Sequence, residues 1–163
     1  EDRVLPVGEI GRIVVANNSG FDGYTSSASK AFADGHMVSG DVGRIDENGR
    51  LFVVGRDDEM IVSGGENVYP REVEEVIAAL DEVHEVAVIG VDDEKFGQRL
   101  AAYIVRAPQT LIGAEQIQQH VREQLAGFKV PRDVHFLDEL PRNATGKILK
   151  RELQAAVPER KVS

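Results

Sequence analysis

Gly55-Arg56-Asp57-Asp58-Glu59-Met60-Ile61-Val62-Ser63-Gly64-Gly65-Glu66-Asn67-Val68-Tyr69-Pro70 separates two differently built halves of this chain. Glycines punctuate the stretch, and acids crowd its first part. Short β-branched runs and polar loops precede it. An amphipathic helical pattern follows it, then alternating strand and helix patterns. The stretch reads as a joint and as a candidate part of an active site.

Downstream of the joint, Met60-Ile61-Val62 reads as a short strand. Pro70 opens a helix, where a missing N–H costs nothing. Val73, Val76, Ile77 and Leu80 recur at helical spacing and give one apolar face. Glu72, Glu74 and Glu75 occupy its first turns, where the helix dipole favours acids. Val86 to Val91 is a continuous apolar run, the pattern of a strand buried on both faces. Leu100 to Val105 is a second strand. Ala114 to Leu125 is a helix with Ile117, Val121 and Leu125 inward, stopped by Gly127. Val134 to Leu137 is a third strand. Thr145 is an expected N-cap for a last helix carrying Leu149, Leu153 and Ala156. The order β-α-β-β-α-β-α predicts an α+β domain, a small mixed β-sheet with packed helices.

Upstream, Gly8 to Ala16 holds one glycine-bounded strand. Residues 17–35 are polar, with Phe21, Tyr24 and Phe32 as anchors and a short helix expected over Ser27 to Ala33. Val42 to Ile45 and Arg50 to Val54 form a hairpin about Asp46-Glu47-Asn48-Gly49, since both Asn48 and Gly49 tolerate positive φ. These few strands are marginal alone, so this third is expected to be the edge of a larger body.

The chain has 163 residues, 42% apolar and 29% charged, an ordinary globular balance. No apolar run approaches the ~20 residues of a membrane helix. There is no cysteine, so disulfides, thiol catalysis and cysteine zinc sites are out. A net charge of -9 without a basic run disfavours nucleic acid as a partner. The first residue is Glu1 rather than Met, which suggests a processed or excised chain.

Four histidines, His36, His84, His120 and His135, show no metal-ligand spacing, and no metal site is expected. Gly146-Lys147 does not make a nucleotide P-loop, because the positions that need Gly and Ser or Thr hold Pro141 and Ile148. Lys147 has two readings. It is a solvated lysine ahead of Lys150 and Arg151, or an ammonium beside a helix N-terminus, which makes an anion site. Asp41 is a turn acid or a carboxylate that accepts two hydroxyl hydrogen bonds, as from a ribose. Asp57, Asp58 and Glu59 alone would be a solvated acidic turn.

Three blocks, taken in order and spacing, resemble the adenylate-forming superfamily of acyl-CoA synthetases, aryl-CoA ligases, luciferases and peptide-synthetase adenylation domains. They are Gly40-Asp41; Gly55-Arg56-Asp57-Asp58 through Gly65 to Pro70 and Glu74; and Pro141-Arg142-Asn143-Ala144-Thr145-Gly146-Lys147. Gly8 to Gly11, Gly23-Tyr24 and Gly90 to Gly97 support them. His36-Met37-Val38-Ser39 departs from the aromatic and basic residues usual before Gly-Asp.

The resemblance implies residues 1–57 as the β-rich tail of an absent large N-terminal domain, and residues 58–163 as the small mobile C-terminal domain, hinged near Asp58. It implies a two-step reaction, a carboxylic acid activated by ATP and then passed to coenzyme A with release of AMP. In that scheme Lys147 is catalytic in the first step, Asp41 and Arg56 contact the ribose, and Gly64 and Gly65 line the thiol channel of the second. Mg²⁺ accompanies ATP through the absent domain. A fatty acid is the expected substrate and a cytoplasmic location is expected, with membrane association only through a long acyl chain. Aryl acids, a carrier-protein acceptor and a non-enzymatic accessory module are the alternatives.

Overall fold

A computed structural model describes residues 3–16, 32–33, 36–153 and 155. The chain divides into two compact units, Glu1–Glu59 and Met60–Ser163.

The first unit is a four-stranded antiparallel sheet. Its strands are β1 (Gly11–Val15), β2 (Phe32–Ala33), β3 (His36–Ile45) and β4 (Leu51–Arg56), and β3 pairs with each of the others. In the β3–β4 hairpin the Gly49 N–H donates to the Asp46 carbonyl at 2.9 Å, and the Asp46 N–H to the Arg50 carbonyl at 3.0 Å. The Asp46 carboxylate accepts the Asn48 and Arg50 N–H groups. Only Gly49 has positive φ (76°), so the expected left-handed pair of Asn48 and Gly49 is corrected to one left-handed glycine after an Asp-capped turn. Ser27 to Ala31 of the expected short helix, like Phe21 and Tyr24, lie outside the described residues. Its last two, Phe32 and Ala33, are strand, paired with Met37 and His36.

The second unit contains β5 (Ile61–Ser63), β6 (Glu66–Val68), α1 (Pro70–Ala78), β7 (Val83–Asp93), β8 (Gly97–Arg106), α2 (Ala114–Gln124), β9 (Asp133–Leu137) and α3 (Lys150–Leu153). The strands form one five-stranded sheet, in which β6, β5, β8 and β7 follow in order and β9 runs parallel to β8. The mixed α+β architecture is the one expected, with one strand more. Gly64 and Gly65 have φ of 62° and 86°. Two successive left-handed residues make the tight turn that suits the twist of a hairpin, and the turn folds β6 back on β5.

Alternation along β8 divides the core. Leu100, Ala102 and Ile104 meet Val73 and Ile77 of α1 and Ile117 and Val121 of α2. Ala101, Tyr103 and Val105 meet Leu153 of α3 and Leu140, with Ile148 packed alongside. Strand β7 sends Val88 to the first cluster and Ala87 and Ile89 to the second, so it is buried on both faces as its unbroken apolar run predicts. The helical periodicity of α1 also holds, with Val73 and Ile77 fully buried and Pro70 at its first turn. Its acids have specific partners: Glu72 pairs with Lys129 at 2.6 Å and Glu75 with Arg71 at 2.8 Å. Glu74 accepts the Val88 N–H of β7 at 2.8 Å and pairs with Lys150 at 3.1 Å.

Two helix ends differ from expectation. Helix α2 stops at Gln124, and Gly127 opens a 3-10 turn, Gly127–Lys129, instead of serving as the stop. The last helix begins at Lys150 and not after Thr145. The chain continues as a hairpin up to that point: Arg142 bridges Ile148, and the Leu149 N–H donates to the Pro141 carbonyl at 2.8 Å. Ala156 lies outside the described residues.

Candidate functional site

Strand pairing builds the first cluster. Asp41 and Arg56 are cross-strand neighbours on β3 and β4. The Arg56 guanidinium lies 3.5 Å from the Asp41 carboxylate and 3.2 Å from that of Asp58, in the 3-10 turn Asp57–Glu59. Gly40 makes room for it, since a Cβ there would lie 3.1 Å from Arg56 Nη2. The hydrogen bond that Arg56 donates to Asp58, the charge of Asp58 and that of Asp41 push the Arg56 pKa up, so the group stays cationic. The Asp41 N–H donates to Ser39 Oγ, which donates in turn to the Ile13 carbonyl. Ser39 therefore orients Asp41 within the very segment that departs from the family pattern. Asp41, Arg56 and Asp58 come together in one unit. They place two carboxylates about one cation, and a carboxylate such as that of Asp41 is of the type that accepts the hydroxyls of a diol.

The second element is the β5–β6 turn. The Gly64 N–H donates to the Phe96 carbonyl at 2.9 Å, and a Cβ on Gly64 would lie 3.2 Å from the Phe96 ring. Around Gly65 nothing lies within 4 Å of a Cβ position, so its surface is open to an approaching chain. A cleft beside the turn is lined by Ser63, Gly64, Phe96, Arg99, Phe128 and Arg132. The Arg132 guanidinium lies 4.0 Å over the Phe96 ring. Arg99 is bound by Asp133 at 2.6 Å and Asp93 at 3.4 Å, and the Asp133 hydrogen bond does most to push its pKa up. Sequence reasoning missed this cleft. Phe96 belongs to the Gly90–Gly97 block, but nothing local marks Phe128 or Arg132, which only the fold brings to the turn.

Lys147 is exposed, at the end of the loop that precedes α3. The expected site at a helix N-terminus is corrected: the lysine stands in the Arg142–Ile148 hairpin, and α3 starts three residues later as a single short turn. Asn143 Oδ1 accepts from the Thr145 N–H (3.0 Å), the Thr145 hydroxyl (2.8 Å) and the Lys147 N–H (2.9 Å). Thr145 is thus a donor to Asn143 and caps no helix. The two second-unit segments are anchored to opposite faces of one sheet. Ile148, next to Lys147, packs in the cluster with α3, whereas Ile61 and Val68, flanking the glycine turn, pack in the cluster with α1 and α2.

Residues 72–147 match the AMP-binding enzyme C-terminal domain family. The chain is 40% identical over 153 residues to a 2-succinylbenzoate–CoA ligase of Geobacillus sp. (strain WCH70), covering 92% of this chain and 31% of the ligase. An o-succinylbenzoate CoA synthetase from Bacillus subtilis, solved with its acyl-adenylate intermediate, superimposes with a TM-score of 0.86 at 35% identity, covering 93% of this chain and 32% of that one. A Mycobacterium tuberculosis fatty acyl CoA synthetase is 46% identical with a TM-score of 0.63, over 77% of this chain and 25% of its own. The chain spans about a third of the length of the relatives it matches.

Proposed function

The chain belongs to the AMP-binding enzyme C-terminal domain family, and on that premise we propose that it is the C-terminal part of an AMP-forming acid–thiol ligase. In the first step a carboxylate oxygen attacks the α-phosphorus of ATP, and the bond to the departing pyrophosphate breaks. In the second a thiol sulfur, its proton lost to solvent or base, attacks the acyl carbon, and AMP leaves.

The first step brings two anions together, so it needs fixed positive charge where charge develops. The exposed Lys147 ammonium suits that task. Asp41, steadied by Ser39 and Arg56, suits the ribose diol. The second step needs a narrow approach for a thiol arm, and the bare backbone at Gly64 and Gly65 suits it. The cleft with Arg132 and Arg99 beside that turn favours a thiol carrying phosphates, as coenzyme A does. In this reading residues 1–57 are the tail of a larger N-terminal domain, residues 58–163 are the domain that swings, and Asp58 is the pivot. The division of the chain after Glu59 supports a pivot in that stretch. Mg²⁺ in this reading arrives on the phosphates of ATP.

The observation that carries the proposal is the opposite anchoring of Lys147 and the glycine turn. One sheet cannot offer both faces to one substrate, so two settings of the domain serve two chemistries. The test uses the full-length enzyme. Lys147→Ala is expected to abolish carboxylate-dependent pyrophosphate exchange while sparing thioester formation from supplied acyl-adenylate. Gly65→Leu is expected to do the reverse. Equal loss of both half-reactions in either variant overturns the division of labour. For the acid, we propose a fatty acid or a ring-bearing acid such as 2-succinylbenzoate; a panel of both classes separates them. Offering coenzyme A against a pantetheinylated carrier protein identifies the acceptor.

A further inference from the structure

We propose that Asn143 and Arg142 are positioning residues that fix the root of Lys147, an inference that rests on the reading of Lys147 above. Residues 142–147 are all exposed, so apolar packing does not pin this loop. Polar contacts do. Both main-chain groups of Lys147 are bonded to one residue: its N–H donates to Asn143 Oδ1, and its carbonyl accepts the Asn143 N–H at 2.9 Å. The same Oδ1 gathers both donors of Thr145. Gly146, at φ 84°, takes the left-handed step that closes the turn, and its N–H donates to the Asn143 carbonyl at 2.9 Å.

Arg142 ties this turn to the sheet. Its Nη1 donates to the Gly146 carbonyl at 2.7 Å, while its Nη2 pairs with Glu85 of β7. One guanidinium thus links the residue before Lys147 to a rigid strand. A lysine stem is long and flexible, and only its root can be fixed in advance. With the root fixed, fewer stem conformers have to be searched to place the ammonium between two anions. The Asn143 side chain acts in these bonds only as an acceptor at Oδ1, so Asp can replace it in this role and Ala cannot.

The experiment measures both half-reactions of the full-length enzyme together with amide exchange at Lys147. Asn143→Ala is expected to speed Lys147 N–H exchange and to slow adenylate formation roughly 10- to 100-fold, with thioester formation from supplied acyl-adenylate unchanged. Asn143→Asp is expected to restore the protection and most of the rate. Glu85→Gln is expected to slow the same half-reaction to a smaller degree. Protection at Ile104, in the core, serves as the check that each variant is folded. The proposal is overturned if Asn143→Ala frees the Lys147 amide without slowing adenylation, or slows both half-reactions equally. It is also overturned if Asn143→Asp restores protection but not rate, since the side-chain NH₂ would then be what matters. Lys147→Ala run in parallel separates the two ideas: if it spares adenylation, the role of Lys147 fails; if it is selective and Asn143→Ala is not, only the positioning fails.

Discussion

The two units handle apolar side chains in opposite ways. Among the described residues of the first, Val42 is the buried large hydrophobic, while Val4, Val7, Ile10, Val14, Val15, Ile45, Leu51, Phe52 and Val53 are exposed. The second closes two clusters on the two faces of its sheet and leaves few large apolar side chains out. Burial of each Leu- or Ile-sized side chain contributes about 1.5–3 kcal/mol. The second unit therefore has its own source of stability, and the first relies on strand pairing and turns. Apolar side chains left out on both sides of these strands suit cover by further chain, in keeping with the proposed larger domain.

The largest effect should come from the core. Ile104→Ala is expected to destabilise the second unit by about 2–5 kcal/mol, the usual range for emptying such a site. Phe52→Ala, at an exposed position where Arg44 and Arg50 lie over the ring, is expected to stay within ~0.5 kcal/mol in this chain. Urea midpoints of the two variants measure the contrast, and equal losses would break it. In a longer protein that covers the first unit, the Phe52 variant should become the costlier of the two measurements made on it.

An intermediate effect is expected at the glycine turn. Gly65→Ala meets no neighbour but must hold a left-handed backbone, which costs about 1–2 kcal/mol. Gly64→Ala adds crowding against Phe96 and should unfold at lower urea than Gly65→Ala. The reverse order would mean that the Phe96 ring moves aside freely.

The smallest effect sharpens a likeness between the units. Each carries an acid that accepts turn N–H groups and has a depressed pKa. In Asp46 the Arg50 N–H is the main cause. In Asp93 burial pushes upward, but the Phe96 and Lys95 N–H groups and Arg99 outweigh it. A folded-state pKa below the unfolded one means that the stabilisation is present above the unfolded pKa and is lost as pH falls through the folded one. Asp46→Asn and Asp93→Asn should therefore lower stability modestly at neutral pH and make no difference in strong acid. A penalty that persists in acid would assign the effect to lost geometry and not to charge.

Much of the second unit was legible because its signals are local. The unbroken Val86–Val91 run and the helical spacing from Val73 to Leu80 each have one physical solution. Strand β6 was not legible, since Glu66-Asn67-Val68 has no strand pattern and is made a strand by the turn before it. Thr145 looked like a cap because a hydroxyl before an apolar run usually is one; the pairing of Arg142 with Ile148 overrode it. The cleft beside Gly64 joins residues from Ser63 to Arg132, and no window of sequence spans it. Lys147 and Asp41 each had a local chemical reading beside a bland one, and the ordered motifs decided between them; Arg56 was marked by its motif alone.

Glu74 has a consequence for the domain when it stands apart from any partner. Among the described residues strand β7 borders the sheet, and a bordering strand is where an extended peptide can add. At Val88, in the middle of that border, the donor is already taken by a carboxylate reaching across from the helix, and Lys150 steadies the carboxylate. A foreign strand that docked there would have to evict a charged group. That one donor of the border is thus closed to strand addition.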